Sequence, residues 1–175
     1  YPYFRALQSV FLINKKEVVP KYKYFSNKKT DYFNNFVSTE EHEKNKIDYV
    51  MSSKSKAGLK YLYYLYKSNF KAGEEGQMMG MAAYKNKQTD LDKNIINICN
   101  EAQEETLKDA IELMEKAKKY SNCKNIILSG GYHLNCSNNF KLVKHFPEYK
   151  FFVDPIPYDA GTAIGGVYYY ENYLQ

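Results

Sequence analysis

The sequence has few cysteines and no long apolar run. Its three cysteines, Cys99, Cys123 and Cys136, are scattered, and no two of them form a C-x-x-C pair. An odd, unpaired set predicts neither a disulfide framework nor a zinc site, so we expect a protein of the reducing cytoplasm. No apolar run approaches the roughly 18 residues that a membrane-spanning helix needs, and no signal peptide is recognisable. We therefore expect no membrane among its partners.

Arginine is nearly absent as well, which weakens one interpretation of the net charge of +5. Lysines gather near the start of the chain, with aromatic residues between them: Lys15, Lys16, Lys21, Lys23, Lys28 and Lys29. This pattern is typical of nucleic-acid surfaces, but a solvated hairpin of a lysine-rich protein gives the same pattern. We favour the hairpin, because nucleic-acid recognition relies heavily on the planar fork of arginine.

The remaining composition suits one folded domain. The chain has 175 residues, of which 44 % are hydrophobic, so it is long enough to bury a core. It begins with Tyr1 rather than methionine, which favours a piece of a longer protein. We then expect part of the functional site to lie outside the chain.

The first half of the chain predicts a hairpin, an insertion and a helix. Residues 9–25 predict a hairpin that turns at 14–16, and Pro20 limits its second strand to an edge or a bulge. Residues 26–54 are polar and weakly periodic, so we interpret them as an irregular insertion. Helical spacing predicts a helix over 55–69. Its apolar positions are Leu59, Leu62, Tyr63, Tyr66 and Phe70.

The second half alternates helices with short strands. An amphipathic pattern predicts a long helix over 91–120, with Asp90 or Asp92 as its N-cap. The elements predicted after it are a buried strand at 125–129, a helix at 137–145, a strand at 150–153 and a helix at 159–173. This alternation favours an α/β layer with parallel strands.

Glycines concentrate in the loops of this pattern. Gly130 and Gly131 directly follow a predicted strand. Here the backbone can approach a ligand, and free N–H groups at a helix start favour phosphate. A simple tight turn is the alternative. Asp159 precedes the last helix, where it could cap the helix or bind a metal. Residues 73–82 read as a glycine-rich loop followed by a methionine-lined core helix.

The same segments resemble signature blocks of the NodU/CmcH-type carbamoyltransferases. Residues 75–82 resemble E-G-K-x-M-G-L-A, and residues 129–136 resemble A-G-G-x-x-L-N-C. Residues 153–166 resemble V-x-P-x-x-x-D-x-G-x-A-x-G, and Gln103-Glu104 stands at the Q-E of the intervening helix. Four blocks in the same order and at matching spacing are far more specific than any one of them.

This resemblance, over residues 55–170, carries expectations for fold and activity. It implies an α/β fold with a mixed sheet flanked by helices, the second lobe of an actin/Hsp70-like (ASKHA, RNase H-like) ATPase fold. Residues 1–175 would be part of a Kae1-like N-terminal domain. Such domains hold carbamoyl-adenylate, made from ATP, between two lobes and pass its carbamoyl group to a hydroxyl of a small-molecule or sugar acceptor. An upstream lobe and a C-terminal domain are the further partners implied.

The resemblance also implies site residues. The nucleotide-binding residues would be Glu75, Gly76, Gly130, Gly131 and Asn135. Asp159 would bind a divalent metal, iron in related enzymes, together with histidines of an upstream H-H-H-A-H-A segment. The catalytic base is not identified by the matching blocks.

The chain departs from the family pattern in several places. His42, His133 and His145 are isolated, so none of them matches the H-H-H-A-H-A segment. We interpret His133 as a packing residue rather than a ligand or an acid/base group. Gln77 stands where lysine is usual, and Lys85 replaces a glycine. Two alternatives therefore stay open: a non-catalytic adenine-nucleotide-binding module of the same fold and, ranked last, a basic nucleic-acid-binding protein.

Overall fold

A computed structural model describes residues 6–15, 17–26, 45–52 and 54–173 of the chain. Five strands and five α-helices are formed by these residues. The strands make two separate sheets, one of three strands and one of two. The predicted α/β class is confirmed by this mixture of helices and small sheets.

The first sheet contains the predicted hairpin. Strand β1 (Ala6–Ile13) pairs antiparallel with β2 (Val18–Ser26). The register between them shifts where Val10 pairs with Tyr22 and Phe11 pairs with Pro20. The bulge expected at Pro20 is therefore confirmed, because proline cannot donate to the ladder.

A third strand, β3 (Asp48–Ser52), pairs parallel with β2 from Tyr22 onwards. It lies inside the segment interpreted as an irregular insertion, so the expectation of irregular structure is wrong for these five residues. Residues 27–44 lie outside the described part of the chain. That residues 26–54 form an insertion stays a prediction.

Three helices follow, and the third is the longest. They are α1 (Ala57–Lys67), α2 (Glu75–Ala82) and α3 (Lys93–Ala117). Asp92 caps α3, because its Oδ1 accepts hydrogen bonds from the N–H groups of Asn94 at 2.7 Å and Ile95 at 3.4 Å. Of the two predicted caps, Asp92 is thus the one used.

The predicted apolar face of α1 is partly wrong. Tyr63 and Tyr66 are each 60 % exposed. The residues that α1 buries are Ala57, Tyr61, Tyr64 and Leu65. Tyrosine can serve either face of a helix, because its ring is apolar and its hydroxyl is polar, so spacing alone does not select the buried set.

The second sheet comprises the predicted parallel pair. Strand β4 (Asn125–Leu128) pairs in register with β5 (Lys150–Val153). The prediction that β4 is fully buried is wrong, since Ile127 is 55 % exposed and only Leu128 is buried. The connection between the strands carries α4 (Cys136–His145), as a parallel pair requires a crossover.

A last helix, α5 (Gly161–Tyr173), completes the predicted order. Its side chains are exposed from Thr162 to Asn172. The large apolar side chains among them are Ile164, Val167, Tyr168, Tyr169 and Tyr170. No helix of the described residues is long and apolar enough to cross a membrane.

Helix α3 connects the three hydrophobic clusters. Near its start, Cys99 and Ala102 pack with α1 and with Met78 of α2. Further along, Ala110 and Met114 pack with β4 and α4. Leu113 and Ala117 contact the apolar side of the first sheet. Both sheets and helices α1, α2 and α4 therefore contribute to clusters that include α3.

Substituting the N-cap of α3 is expected to lower stability. Asp92→Ala removes the acceptor for two main-chain N–H groups, so the free energy of unfolding should fall by about 1 kcal/mol. The matched control is Asp90→Ala, since Asp90 is exposed and is not the N-cap. Urea denaturation of both variants tests this, and equal losses would contradict the assignment of the cap.

Candidate functional site

The glycine turn follows β4 directly. Gly130 has φ of 100° and ψ of 150°, a backbone conformation that essentially only glycine adopts. A 3-10 turn over Gly131–Leu134 comes next, and the N–H of His133 donates to the main-chain oxygen of Gly130 at 2.9 Å. The first glycine thus reverses the chain, while Gly131 has no positive φ.

The loop that carries Asp159 meets this turn. The N–H of Asp154 donates to the main-chain oxygen of Leu128 at 3.3 Å, which joins the carboxyl ends of the two strands. A methyl group built on Gly131 would lie 3.8 Å from Cβ of Tyr158. Asp159, the next residue, is exposed and lies two residues before α5.

Asp159 contributes its main chain to the start of α5. Its main-chain oxygen accepts hydrogen bonds from the N–H of Thr162 at 3.1 Å and from the Oγ1 of Thr162 at 2.6 Å. Gly161 leaves no room for a side chain, because a Cβ there would lie 2.6 Å from the main-chain oxygen of Ile156. The loop geometry next to Asp159 is thus fixed by a backbone contact.

The segment that begins at Glu75 forms helix α2 and meets the other end of the glycine turn. Met78 is fully buried in the core. Met79, the next residue, contacts Cys136 with 3.9 Å between their sulfur atoms. Gly76 is exposed, and no atom would contact a Cβ placed on it. The predicted helix is formed and places Met78 in the core, but the predicted glycine-rich loop is wrong for Gly76 and Gly80, which lie inside α2. Gly76 leaves an open place on the helix surface.

Asn135 points into the protein rather than away from it. It is 7 % exposed, and its Oδ1 accepts the N–H of Asn138 at 3.1 Å, which caps α4. Its Nδ2 donates to Oε1 of Gln103 at 2.8 Å. Asn135 therefore links the glycine turn to helix α3.

Asn138 adds a second set of hydrogen bonds to the same region. It is 1 % exposed, and its Nδ2 lies 2.9 Å from the main-chain oxygen of Gln103. The same nitrogen lies 3.2 Å from Oγ1 of Thr106 and 3.0 Å from the hydroxyl of Tyr132. Burial raises the pKa of the Tyr132 hydroxyl, which keeps it protonated. These contacts hold the turn against α3 from within.

His133 forms a reciprocal pair with Asn139. Nδ2 of Asn139 donates to the main-chain oxygen of His133 at 2.7 Å, so Oδ1 of Asn139 faces Nδ1 of His133 at 2.9 Å. An oxygen at that place requires the Nδ1–H tautomer in the neutral ring. Burial lowers the pKa of His133, and the hydrogen bond to Asn139 opposes this shift. The imidazole is thus mostly neutral near pH 7, and its main contacts hold the turn.

The metal ligands implied by the resemblance are represented by Asp159 alone. Among the described residues, no group of three or more His, Cys, Asp or Glu side chains is arranged to hold a metal ion. His145 is exposed on α4, and His42 lies outside the described residues. A single exposed carboxylate does not fit an iron centre, so no chemical step can be assigned to a metal on these residues.

A small hollow lies apart from the predicted site residues. Its volume is about 90 Å³, and three lysines are among the residues that line it. The lining residues are Tyr84, Lys85, Lys87, Thr89, Lys93, Ile96 and Asn97. The contacts that bring the sequence blocks together are made elsewhere, along residues 130–136.

Comparison with known protein families confirms the resemblance to carbamoyltransferases that the sequence blocks indicate. Residues 14–168 match the family model described as carbamoyltransferase N-terminus. The chain belongs to this carbamoyltransferase family. Membership associates it with carbamoyl transfer in general and supports a transferase. No curated protein and no solved structure matches the chain.

Several residues that organise the candidate site were not predicted from the sequence. The resemblance indicated Gln103, which is part of the buried polar network of this region. It did not indicate Tyr61, Thr106 or Asn138, which belong to the same network. One signal in the sequence could have indicated this network. Gln103 and Thr106 lie on the apolar face of the long helix predicted over 91–120, between Ala102 and Ala110. Uncharged polar residues on such a face have to find buried partners.

The two glycines of the turn are expected to differ in their tolerance of alanine. Gly130→Ala forces a side chain into a positive-φ conformation, which should cost ~1–3 kcal/mol of unfolding free energy. Gly131→Ala is the control, because its new methyl group meets Tyr158 at an ordinary contact distance of 3.8 Å. Thermal denaturation compares the two variants, and an equal destabilisation would show that the turn conformation is wrong.

The stability of the domain should depend on pH through His133. Its pKa is lowered from 6.5 in the folded state, so the unfolded state binds the proton more readily. The stabilisation from neutral His133 is complete above about pH 6.5 and is lost as pH falls towards the folded pKa, with a slope of at most ~1.4 kcal/mol per pH unit.

Replacing this imidazole should flatten the dependence. Urea titrations of His133→Gln from neutral to mildly acidic pH are expected to show a shallower loss of stability than the parent protein. His145→Gln replaces an exposed histidine of α4 and serves as the control. An unchanged slope in His133→Gln would exclude His133 as the source.

Proposed function

We propose that the chain binds carbamoyl-adenylate and takes part in the transfer of its carbamoyl group to a hydroxyl of a small-molecule or sugar acceptor. In this reaction the hydroxyl oxygen attacks the carbamoyl carbon. The bond from that carbon to the phosphate oxygen breaks, and AMP leaves with the electron pair. The hydroxyl proton passes to a base. The role of the chain is to hold the donor so that the carbamoyl carbon is accessible.

One observation supports this proposal beyond family membership. The Gly130–Cys136 stretch meets two of the other three signature blocks, since Cys136 contacts Met79 and Gly131 lies next to Tyr158. Residues 79 and 136, and residues 131 and 158, thereby become neighbours although they are far apart along the chain. In this arrangement, one ligand can contact the glycine turn, the α2 segment and the Asp159 loop at the same time.

The residues divide into ligand-facing and supporting groups in this proposal. Gly130 and Gly131 allow the backbone to approach the phosphate end of the adenylate. Glu75 and Gly76 face its ribose and base from the open surface of α2. Asn135 supports the turn, because its amide is already engaged with Gln103 and Asn138.

The proposed fold is one lobe of an actin/Hsp70-like ATPase fold. Asp159 would supply one ligand to a divalent metal whose histidine ligands belong to an upstream segment. With this one carboxylate, the isolated chain is expected to bind AMP without transferring a carbamoyl group. A non-catalytic nucleotide-binding module is the second candidate.

Adding a methyl group to Gly131 should weaken nucleotide binding while leaving the fold intact. The methyl group occupies the place where the backbone approaches the phosphate, so Gly131→Ala should weaken AMP binding about tenfold, as expected for one lost charge-assisted contact. The matched control is Gly58→Ala, because Gly58 is exposed on α1 and has open space around it. Isothermal titration calorimetry with AMP measures both variants.

The outcomes distinguish the transferase from the non-catalytic module, and both of these from a chain that has no nucleotide site. Absence of AMP binding by the parent chain, or equal affinity of the two variants, would refute the site. If AMP binds but transfer stays absent after the upstream histidine segment is supplied, the non-catalytic module is correct. Transfer from carbamoyl-adenylate by the isolated chain would contradict the assignment of Asp159 as one ligand of an incomplete metal centre.

A further inference from the structure

A continuous line of hydrogen bonds connects the glycine turn to the first residue of α2. It starts at the main-chain N–H of Asn138, passes through the side chain of Asn135 and reaches Oε1 of Gln103. From there Nε2 of Gln103 donates to the hydroxyl of Tyr61 at 2.9 Å. That hydroxyl donates to the main-chain oxygen of Glu75 at 3.3 Å.

The direction of every hydrogen bond in this line is determined by its two ends. The N–H of Asn138 can only donate, so Asn135 must turn its Oδ1 towards it and its Nδ2 towards Gln103. Gln103 must then present Oε1 to Asn135 and Nε2 to Tyr61. The Tyr61 hydroxyl accepts from Nε2 of Gln103, so its own proton is free to be donated. It donates that proton to the main-chain oxygen of Glu75, which can only accept. Neither amide can flip without breaking two hydrogen bonds.

The line runs through the interior of the protein. Gln103 is 2 % exposed and Tyr61 is 8 % exposed. The pKa of the Tyr61 hydroxyl is raised, and burial is the largest cause of this shift. The hydroxyl therefore keeps the proton that it donates to Glu75. Water has little access to these groups, so a broken bond in the line has no ready replacement.

We propose that Tyr61 and Gln103 are positioning residues that couple the place of Glu75 to the conformation of the glycine turn. The inference rests on the proposed function, since these two segments are the ones assigned to the nucleotide. Through this coupling, a shift of the backbone at one end of the bound adenylate changes the position of the residues at the other end. Neither Tyr61 nor Gln103 is expected to contact the ligand.

The experiment uses Tyr61→Phe in the ligand-free chain. It removes one hydroxyl, which leaves Nε2 of Gln103 and the oxygen of Glu75 without their shared partner. Hydrogen exchange of the main-chain amides of His133 and Asn138 reports on the turn, because both amides are bonded inside it. We expect their exchange to become about tenfold faster, the factor that corresponds to one buried hydrogen bond.

Tyr64→Phe is the matched control. Tyr64 lies on the same helix and in the same core cluster, and it is equally buried. It also loses a hydroxyl, but that hydroxyl is not in the line to Gln103. Faster exchange at His133 and Asn138 in Tyr61→Phe alone supports the coupling. Equal changes in the two variants, or no change in either, overturn it.

A second measurement connects the coupling to the nucleotide. AMP titration should show about tenfold weaker binding in Tyr61→Phe and parent-like binding in Tyr64→Phe. Unchanged AMP affinity in Tyr61→Phe overturns the positioning role, even if the exchange rates differ. Failure of the parent chain to bind AMP refutes the proposed function instead, and the exchange experiment still decides whether the two segments are coupled.

Discussion

The buried amide of Gln103 is the constraint on which the candidate site depends. Its side chain lies on the face of α3 that packs into the core, where an unpaired amide would cost about 1–3 kcal/mol. The cost is avoided because one end of the amide pairs with Tyr61 and the other with Asn135. These two partners belong to different segments, so satisfying one side chain places both segments relative to α3.

Ion pairs also hold the same helix against α1. Asp109 is buried on α3, where Lys60 lies 2.8 Å and Lys56 lies 3.5 Å from its carboxylate oxygens. A buried carboxylate without a partner would destabilise the fold strongly, although the net gain from the paired arrangement is small. The ion pairs therefore define the register of α1 along α3, and that register brings Tyr61 opposite Gln103.

The sequence predicted the order of elements after residue 55 well, because two kinds of signal coincide there. Apolar spacing located α3, and glycine or proline marked the ends of neighbouring elements. The β3 strand was not predicted, because it has only five residues and no clear apolar periodicity. It forms by pairing with β2. Its existence depends on a tertiary contact that local patterning does not encode.

The site was predictable at the level of segments but less so at the level of side chains. The block at 75–82 and the glycine turn were indicated together, and they are neighbours. The inward direction of Asn135 was not predictable, because an asparagine before a helix can cap it, bind a ligand or do both. Only the partners on α3 decide between these roles. Tyr61 was inconspicuous among the tyrosines of α1 for the same reason.

The exposed last helix affects how the unfolding of this chain is measured. Ile164, Val167 and the three tyrosines 168–170 remain in contact with solvent, so α5 gains little from burial, which is worth ~1.5–3 kcal/mol for a large apolar side chain. Its melting is then weakly linked to that of the core around α3. A cooperative transition recorded for this chain reports on the core, and α5 contributes to the sloping baseline before it.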